Sequence, residues 1–468
     1  MTRAWRWVDR AIPYSQTGWA NLAGDIVTSP TQGWRRDCSG FVSMSWGLPY
    51  PGESTRTLQY RSDPIFKAAL QPGDALISYN NHTVIFGGWL DATRSTYLAL
   101  EMSSSASRNS TSTPDGTIAR PTPYPYWGRD TTYLPYRLRG ITGNVDYAPY
   151  ITPVEGTDRY GTAVAASRQA FTDGGAPVVI VASGVNWPDA LGASALAGAV
   201  RGPVLLTRPG VLSTVTANEI RRLGAREIIV VGDPNAVSDT VAEQLRALGG
   251  LTVTRIGGAN RYETAALIAI EAAARAGAAG ENLDGVVFIA TGTTFPDALA
   301  AAPIAYALKR PILLTGTDYL NPAAAGALKT VGATSAVILG GLPSVSAAVE
   351  TRLQVLLGIG AVRRIAGADR YATGFAVARY GVAECGLGYA DAAIAVGSDF
   401  PDALAGGPMS GELGGVVLLT RPNRLEAPIA DAMLAGGAAT FGRPRCLGGE
   451  TTLLPVVRES IALALGAL

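Results

Sequence analysis

Beyond about residue 150 the chain is written in short branched-apolar runs separated by alanine-rich stretches. Val178–Ala182, Val204–Thr207 and Glu227–Val231 read as buried strands, while the stretches after Pro188 and near Asn218–Leu223 place apolar residues at helical spacing. Strands of this kind alternating with helices predict an α/β arrangement, a parallel sheet with helices on both faces. Before residue 140 the pattern differs. The run Cys38–Trp46 sets Phe41, Val42, Ser45 and Trp46 at helical spacing and stops at Gly47, with Pro49 beyond. A turn at Gln71-Pro72-Gly73-Asp74 leads into a strand over Ala75–Ser78, and Asn80-Asn81 turns into a second, His82–Phe86, closed by Gly87-Gly88. A third strand, Tyr97–Met102, puts Tyr97, Ala99 and Glu101 on one face. Ser103–Thr117 reads as an exposed loop and Tyr133–Arg139 as a last strand. One helix followed by neighbouring strands predicts an α+β domain over residues 1–140.

The later part is one unit written three times. Thr157-Asp158-Arg159-Tyr160-Gly161-Thr162 recurs as Ala259-Asn260-Arg261-Tyr262-Glu263-Thr264 and as Ala368-Asp369-Arg370-Tyr371-Ala372-Thr373. Trp187-Pro188-Asp189-Ala190-Leu191 recurs as Phe295-Pro296-Asp297-Ala298-Leu299 and Phe400-Pro401-Asp402-Ala403-Leu404, and a Leu-Leu-Thr triplet ends at Thr207, Thr315 and Thr420. The aspartate of each Pro-Asp-Ala precedes that threonine by 18 residues in every copy. The copies divide as 154–255, 256–364 and 365–468, with 141–153 as a linker. At ~100 residues apiece they are larger than solenoid units and read as small domains.

The totals narrow the function. A chain of 468 residues with 47% hydrophobic and 16% charged residues is globular and too long for one core. A formal charge of +1 gives no general attraction to nucleic acid or acidic membranes, and no apolar run reaches the ~18–20 residues of a membrane span. The charged N-terminus lacks the apolar centre of a signal peptide. Three widely spaced cysteines make no disulfide framework, and a single histidine rules out a zinc site of several imidazoles, so neither metal nor cofactor is expected. Glycine-rich strand ends such as Ile256-Gly257-Gly258 form no dinucleotide fingerprint.

The chemistry concentrates in three residues. Cys38 at a helix start, His82 on a strand and Glu101 on the next can serve as nucleophile, base and orienter. Unpaired N–H groups and the positive dipole end at the helix start favour a thiolate. Each residue alone has an ordinary structural explanation. Together, with the only histidine following a Pro-Gly-Asp turn, they favour catalysis.

Asp37-Cys38-Ser39-Gly40-Phe41-Val42, then Pro72-Gly73-Asp74, then His82-Thr83-Val84-Ile85-Phe86, resembles the NlpC-type papain-like cysteine peptidases, which are peptidoglycan hydrolases. The resemblance covers roughly residues 10–140 and implies a papain-like fold, Cys38 as nucleophile and His82 as base. The third polar residue of that family is commonly histidine, asparagine or glutamine. Glutamate stands at the matching place here, Glu101, which leaves the subclass and the bond cleaved open. The resemblance also implies Tyr14 as a residue lining the site; Asp37 and Ser39 join it as candidates for oxyanion and substrate binding, beside the backbone N–H of Cys38.

The repeated unit, through its Asp-Arg-Tyr, Pro-Asp-Ala-Leu and Leu-Leu-Thr signposts, resembles the type-2 cell-wall-binding repeat across about residues 153–468. That resemblance implies non-covalent attachment to an anionic secondary wall polymer and three units packed about a pseudo-threefold axis, an intramolecular trimer in a monomeric chain. Arg159, Arg261 and Arg370 are candidate polymer contacts. The alternative, that each is spent inside the module holding the copies together, is preferred, because signposts shared by all copies maintain a fold. Cys385 and Cys446, both in the third copy, are read as core or an accidental pair. The expected function is peptidoglycan hydrolysis, as thiol endopeptidase or amidase, directed by a triple wall-binding module. A phage endolysin released from the host cytoplasm through a holin is expected first. The alternatives are a secreted bacterial autolysin and a non-catalytic surface or adhesion protein.

Overall fold

The computed structural model describes residues 2–91, 93–104, 115–127, 133–139, 147–294, 296–422 and 425–466. Residues 141–146 of the stretch read as linker, 105–114 of the stretch read as an exposed loop, and Phe295 lie outside them. Two compact units emerge, the first within Met1–Val145 and the second beginning at Asp146.

The first unit starts with helix α1 (Thr2–Asp9), followed by strands β1 (Ser15–Ala20), β2 (Ile26–Val27) and β3 (Trp34–Arg36), which form a small antiparallel sheet in the order β2-β1-β3. Helix α2 (Cys38–Trp46) comes next. The main sheet is built from β4 (Ser62–Pro64), β5 (Ala75–Ile77), β6 (Thr83–Trp89), β7 (Thr96–Ser103), β8 (Gly116–Pro123) and β9 (Leu134–Leu138), antiparallel throughout in the order β4-β9-β5-β6-β7-β8. Helix α2 packs on β6 and β7, and Phe41, Val42 and Met44 share a fully buried core with Trp7, Ile85 and Leu100. The other face of β6 and β7 is also covered, by aromatic rings: Phe86 stacks on Tyr97 at 5.4 Å. Burial on both faces lets Glu101 sit in the interior of a strand whose Leu100 and Met102 enter the core with α2.

Strand β8 departs from the loop expected over Ser103–Thr117. Ser103 belongs to β7, and Gly116 and Thr117 begin β8, opposite Ser103 and Met102. Pro121 and Pro123 hid this strand in the sequence. They are tolerated because β8 lies at the sheet edge, where one row of N–H groups needs no partner.

The second unit holds three four-stranded parallel sheets. The first copy orders its strands Val204–Thr207, Val178–Ser183, Glu227–Val231 and Thr252–Ile256; the second orders Ile312–Thr315, Val286–Thr291, Ser335–Leu339 and Val362–Ile365. The third sheet runs Gly415–Thr420, Gly388–Val396, Arg445–Leu447 and then Thr152–Val154. Its fourth strand therefore precedes the first copy in sequence, and Thr152 and Pro153 fall in the stretch read as linker. Arg443 fastens that junction by donating to the carbonyls of Ala148 and Ile151 at 2.9 and 2.8 Å.

Asp158, Asn260 and Asp369 each cap the first long helix of a copy, accepting from Tyr160 and Gly161, Tyr262 and Glu263, and Tyr371 and Ala372 N–H groups. That cap is one physical reason for the Asp/Asn-Arg-Tyr signpost. Helices Ala193–Val200, Ala302–Leu308 and Pro401–Glu412 pack against one another, one from each copy. Their approach depends on small residues: a Cβ on Gly198 would lie 2.0 Å from the Tyr306 carbonyl oxygen. Among the described residues no helix is long and apolar enough to cross a membrane.

Candidate active site

Helix α2 is started by Asp37. Its extended backbone (φ −122°, ψ 177°) lets Oδ1 accept from Gly40 N–H at 2.7 Å, and Arg35 Nε donates to Oδ2 at 2.9 Å. Ser39 Oγ donates to Oδ1 at 3.1 Å and receives Arg35 Nη2 at 3.3 Å. The polar atoms of Asp37 and Ser39, both grouped with substrate binding in the sequence, are thus occupied in shaping the helix start. Gly40 is required there, since a Cβ would meet the Arg35 carbonyl oxygen at 2.1 Å. The consequence is a half-buried Cys38 at the first turn, where backbone N–H groups are unpaired by the helix.

The turn before β6 brings the imidazole to it. Asn81 N–H bonds the Ser78 carbonyl at 3.2 Å and Ser78 N–H bonds the His82 carbonyl at 2.9 Å, so His82 enters at the head of the strand. Its Nε2 lies 2.8 Å from Glu101 Oε2, and the Cys38 sulfur is near enough to act electrostatically on the same imidazole. With Nε2 committed to Glu101, Nδ1 is the nitrogen left to the sulfur. Burial works against the imidazolium, but the Cys38 sulfur and the Glu101 carboxylate outweigh it and push His82 up to about 9.

Glu101 is fully buried. Besides His82 it accepts from Arg120 Nε at 2.6 Å on Oε1 and from the Tyr126 hydroxyl at 2.7 Å on Oε2. Burial favours its neutral form, yet His82, Arg120 and Tyr126 hold it down to about 2. Tyr14 is half-buried on the Cys38 side, its hydroxyl accepting from Gln16 at 3.1 Å; burial first, and then the neighbouring Cys38 and Asp37, raise its pKa. The structure therefore assembles Cys38, His82, Glu101 and Tyr14. Sequence reasoning missed Arg120 and Tyr126. The available signal was weak: in the β7–β8 register Arg120 stands opposite Ala99, on the face of Glu101 and diagonal to it.

The three signpost arginines each make a bond inside the module. Their Nη1 atoms donate to the carbonyls of Gly184, Gly292 and Gly397 at 2.7, 2.6 and 3.2 Å, each within its own copy. Arg159 also lies over Phe400 at 5.9 Å and Arg261 over Trp187 at 5.3 Å, each in the preceding copy of the ring, and Arg370 acts electrostatically on Asp297 of the second copy. Between the first two copies lies a cleft of about 280 Å³ lined by Trp187, Asp189, Asp233, Asn260 and Arg261. Cys385 and Cys446 are buried free thiols; Cys385 receives Arg310 Nη1 at 3.2 Å, and burial pushes Cys446 up to about 12.

Comparison with known proteins bears on these copies. The profile of Cell wall binding domain 2 (CWB2) matches residues 154–242, 255–350 and 364–453. N-acetylmuramoyl-L-alanine amidase LytC of Bacillus subtilis (strain 168) is 30% identical over 273 residues, 58% of this chain and 51% of the relative. The amidase enhancer of the same organism is 33% identical over 172 residues, 36% of this chain and 22% of the relative. The chain thus spans about half, or less, of the length of these relatives. Among solved structures, Cwp8 from Clostridium difficile superposes with a TM-score of 0.58 at 25% identity, covering 68% of this chain and 52% of that one. Cwp6 from the same organism gives 0.58 at 19% identity, covering 84% and 63%, a likeness of fold. Matched in three successive stretches over more than half its length, the chain belongs to the cell wall binding domain 2 (CWB2) family.

Proposed function

We propose that the protein is a peptidoglycan hydrolase in which residues 1–140 carry a papain-like thiol mechanism and the three CWB2 repeats hold it at an anionic wall polymer. The observation that carries the reading is the 2.8 Å contact between His82 Nε2 and Glu101 Oε2, which leaves the other face of the imidazole to Cys38. Likeness to a wall amidase and an amidase enhancer supports the same polymer as target.

In this mechanism the Cys38 thiolate attacks an amide carbonyl of the stem peptide, or the amide joining that peptide to muramic acid. The tetrahedral oxyanion is met by the backbone N–H of Cys38. The C–N bond breaks as His82 delivers its proton to the leaving amine, giving a thioester. Water, deprotonated by His82, then releases the acid and restores the thiol. Glu101 keeps the ring in place.

A zymogram on candidate cell walls tests the reading. Wild type clears and Cys38→Ala does not; equal clearing by both would refute the thiol mechanism. Mass spectrometry of the released fragments separates amidase from endopeptidase: free stem peptides beginning at alanine indicate the first, cuts within the peptide the second.

A further inference from the structure

We infer that Arg120 and Tyr126 form a clamp that offsets part of the Glu101 charge felt by His82, a positioning device that sets how tightly the imidazole keeps its proton. The inference rests on the Cys38–His82–Glu101 reading above and extends it to residues that touch neither sulfur nor substrate.

The geometry closes a loop of charge-assisted hydrogen bonds around one carboxylate. Arg120 Nε donates to Glu101 Oε1 at 2.6 Å, the Tyr126 hydroxyl donates to Oε2 at 2.7 Å, and Arg120 Nη2 donates to the Tyr126 oxygen at 3.2 Å. The parts are themselves held. The Arg120 guanidinium lies 5.4 Å from the centre of the Trp127 ring, and the Tyr126 ring stacks on Tyr133 at 4.5 Å. The groups facing His82 are Cys38 from α2, Glu101 from β7 and the Tyr126 ring, 5.5 Å away. Those around Glu101 are His82, Arg120 from β8, Tyr126 and, on the same face of β7, Tyr97.

A carboxylate beside a thiolate–imidazolium pair poses a chemical problem that an amide does not. Unneutralised, it would bind the imidazolium proton so strongly that donation to the leaving amine would slow. The guanidinium on Oε1 offsets part of that charge while Oε2 still orients the ring.

Alkylation of Cys38 by iodoacetamide, followed on its own peptide by mass spectrometry in the full-length chain, reads the imidazole directly. In wild type the rate steps where the imidazolium loses its proton. In Arg120→Met the uncompensated carboxylate moves that step up by about one to two pH units, from Coulomb interaction across the site. In Glu101→Gln the uncompensated guanidinium moves it down. The double variant returns it to near the wild-type position and recovers wall lysis about tenfold over either single variant. Tyr126→Phe, which keeps the ring and removes one donor, guards against misfolding and shifts the step up by less. Steps that stay fixed in the single variants, or a double variant no better than the worse single, overturn the clamp. If the steps move as stated while Cys38→Ala still lyses walls, the clamp stands and the hydrolase reading fails.

Discussion

His82 Nε2, just ahead of β6, and Glu101 Oε2 in β7, 19 residues apart, are joined at 2.8 Å, which leaves Nδ1 as the uncommitted ring nitrogen. Cys38→Ser and His82→Ala are each expected to lower wall lysis by about a thousandfold or more, the first with little change in stability. Glu101→Ala is expected to do more. It strands Arg120 and His82 without their carboxylate in a buried site, a change that costs about 3–5 kcal/mol. Lysis assays paired with denaturant melts separate the two kinds of loss.

The same pair gives the first unit a defined pH window. His82 is raised from 6.5 to about 9, so its contribution to stability is complete below 6.5 and is lost as pH rises through 9. Glu101 is lowered from 4.5 to about 2, so its contribution is present above 4.5 and disappears as pH falls through 2. Seven of the eight tryptophans precede residue 140, so tryptophan fluorescence reports chiefly on this unit. Urea midpoints taken across pH should fall on both sides of that window, and His82→Ala should remove the alkaline fall.

Asp402 has the opposite sign. Burial, and then Asp399 beside it, raise it to about 6 despite Thr162 and Arg159. A carboxyl that holds its proton more tightly when folded favours the fold at low pH, and its ionisation costs stability above 6. Asp402→Asn should therefore stabilise the repeats at pH 8 by about 1–2 kcal/mol and make little difference at pH 4. A gain independent of pH would contradict this.

Arg261→Ala removes the bond to the Gly292 carbonyl and the cation over Trp187. A loss of about 1–3 kcal/mol in the repeats is expected, with wall binding reduced only in proportion to unfolding. Wall pelleting that falls while the melting temperature holds would instead make this arginine a polymer contact.

Gly198→Ala tests the centre of the three copies. The methyl group must displace the Tyr306 backbone, which should cost about 1–3 kcal/mol and lower the melting temperature of the repeats without changing Cys38 alkylation.

The legible parts of this protein were those where sequence spacing and physics coincide. Parallel strands buried on both faces write themselves as apolar runs, and Val178–Ser183 or Ile312–Thr315 could be read directly. The helix start at Cys38 and the head of β6 at His82 were flanked by turn residues that admit few conformations. What stayed hidden was set by distance along the chain. Arg120 looks like a surface residue between prolines until β8 is laid against β7. Thr152–Val154 is too short to signal a strand, and its partner lies some 290 residues further on.

That short strand has a consequence for how the repeats come into being. The piece needed to finish the last sheet leaves the ribosome before any repeat has been made, and it waits through all three. Until Arg445–Leu447 emerges, Thr152–Val154 has no neighbour in its sheet, so the ring is clasped in a single late event that joins the beginning of the anchor to its end. A chain interrupted within the third copy would lose more than one binding unit. It would leave the clasp open and the first copy's leading segment unpaired, a state that quality-control proteases are well placed to recognise.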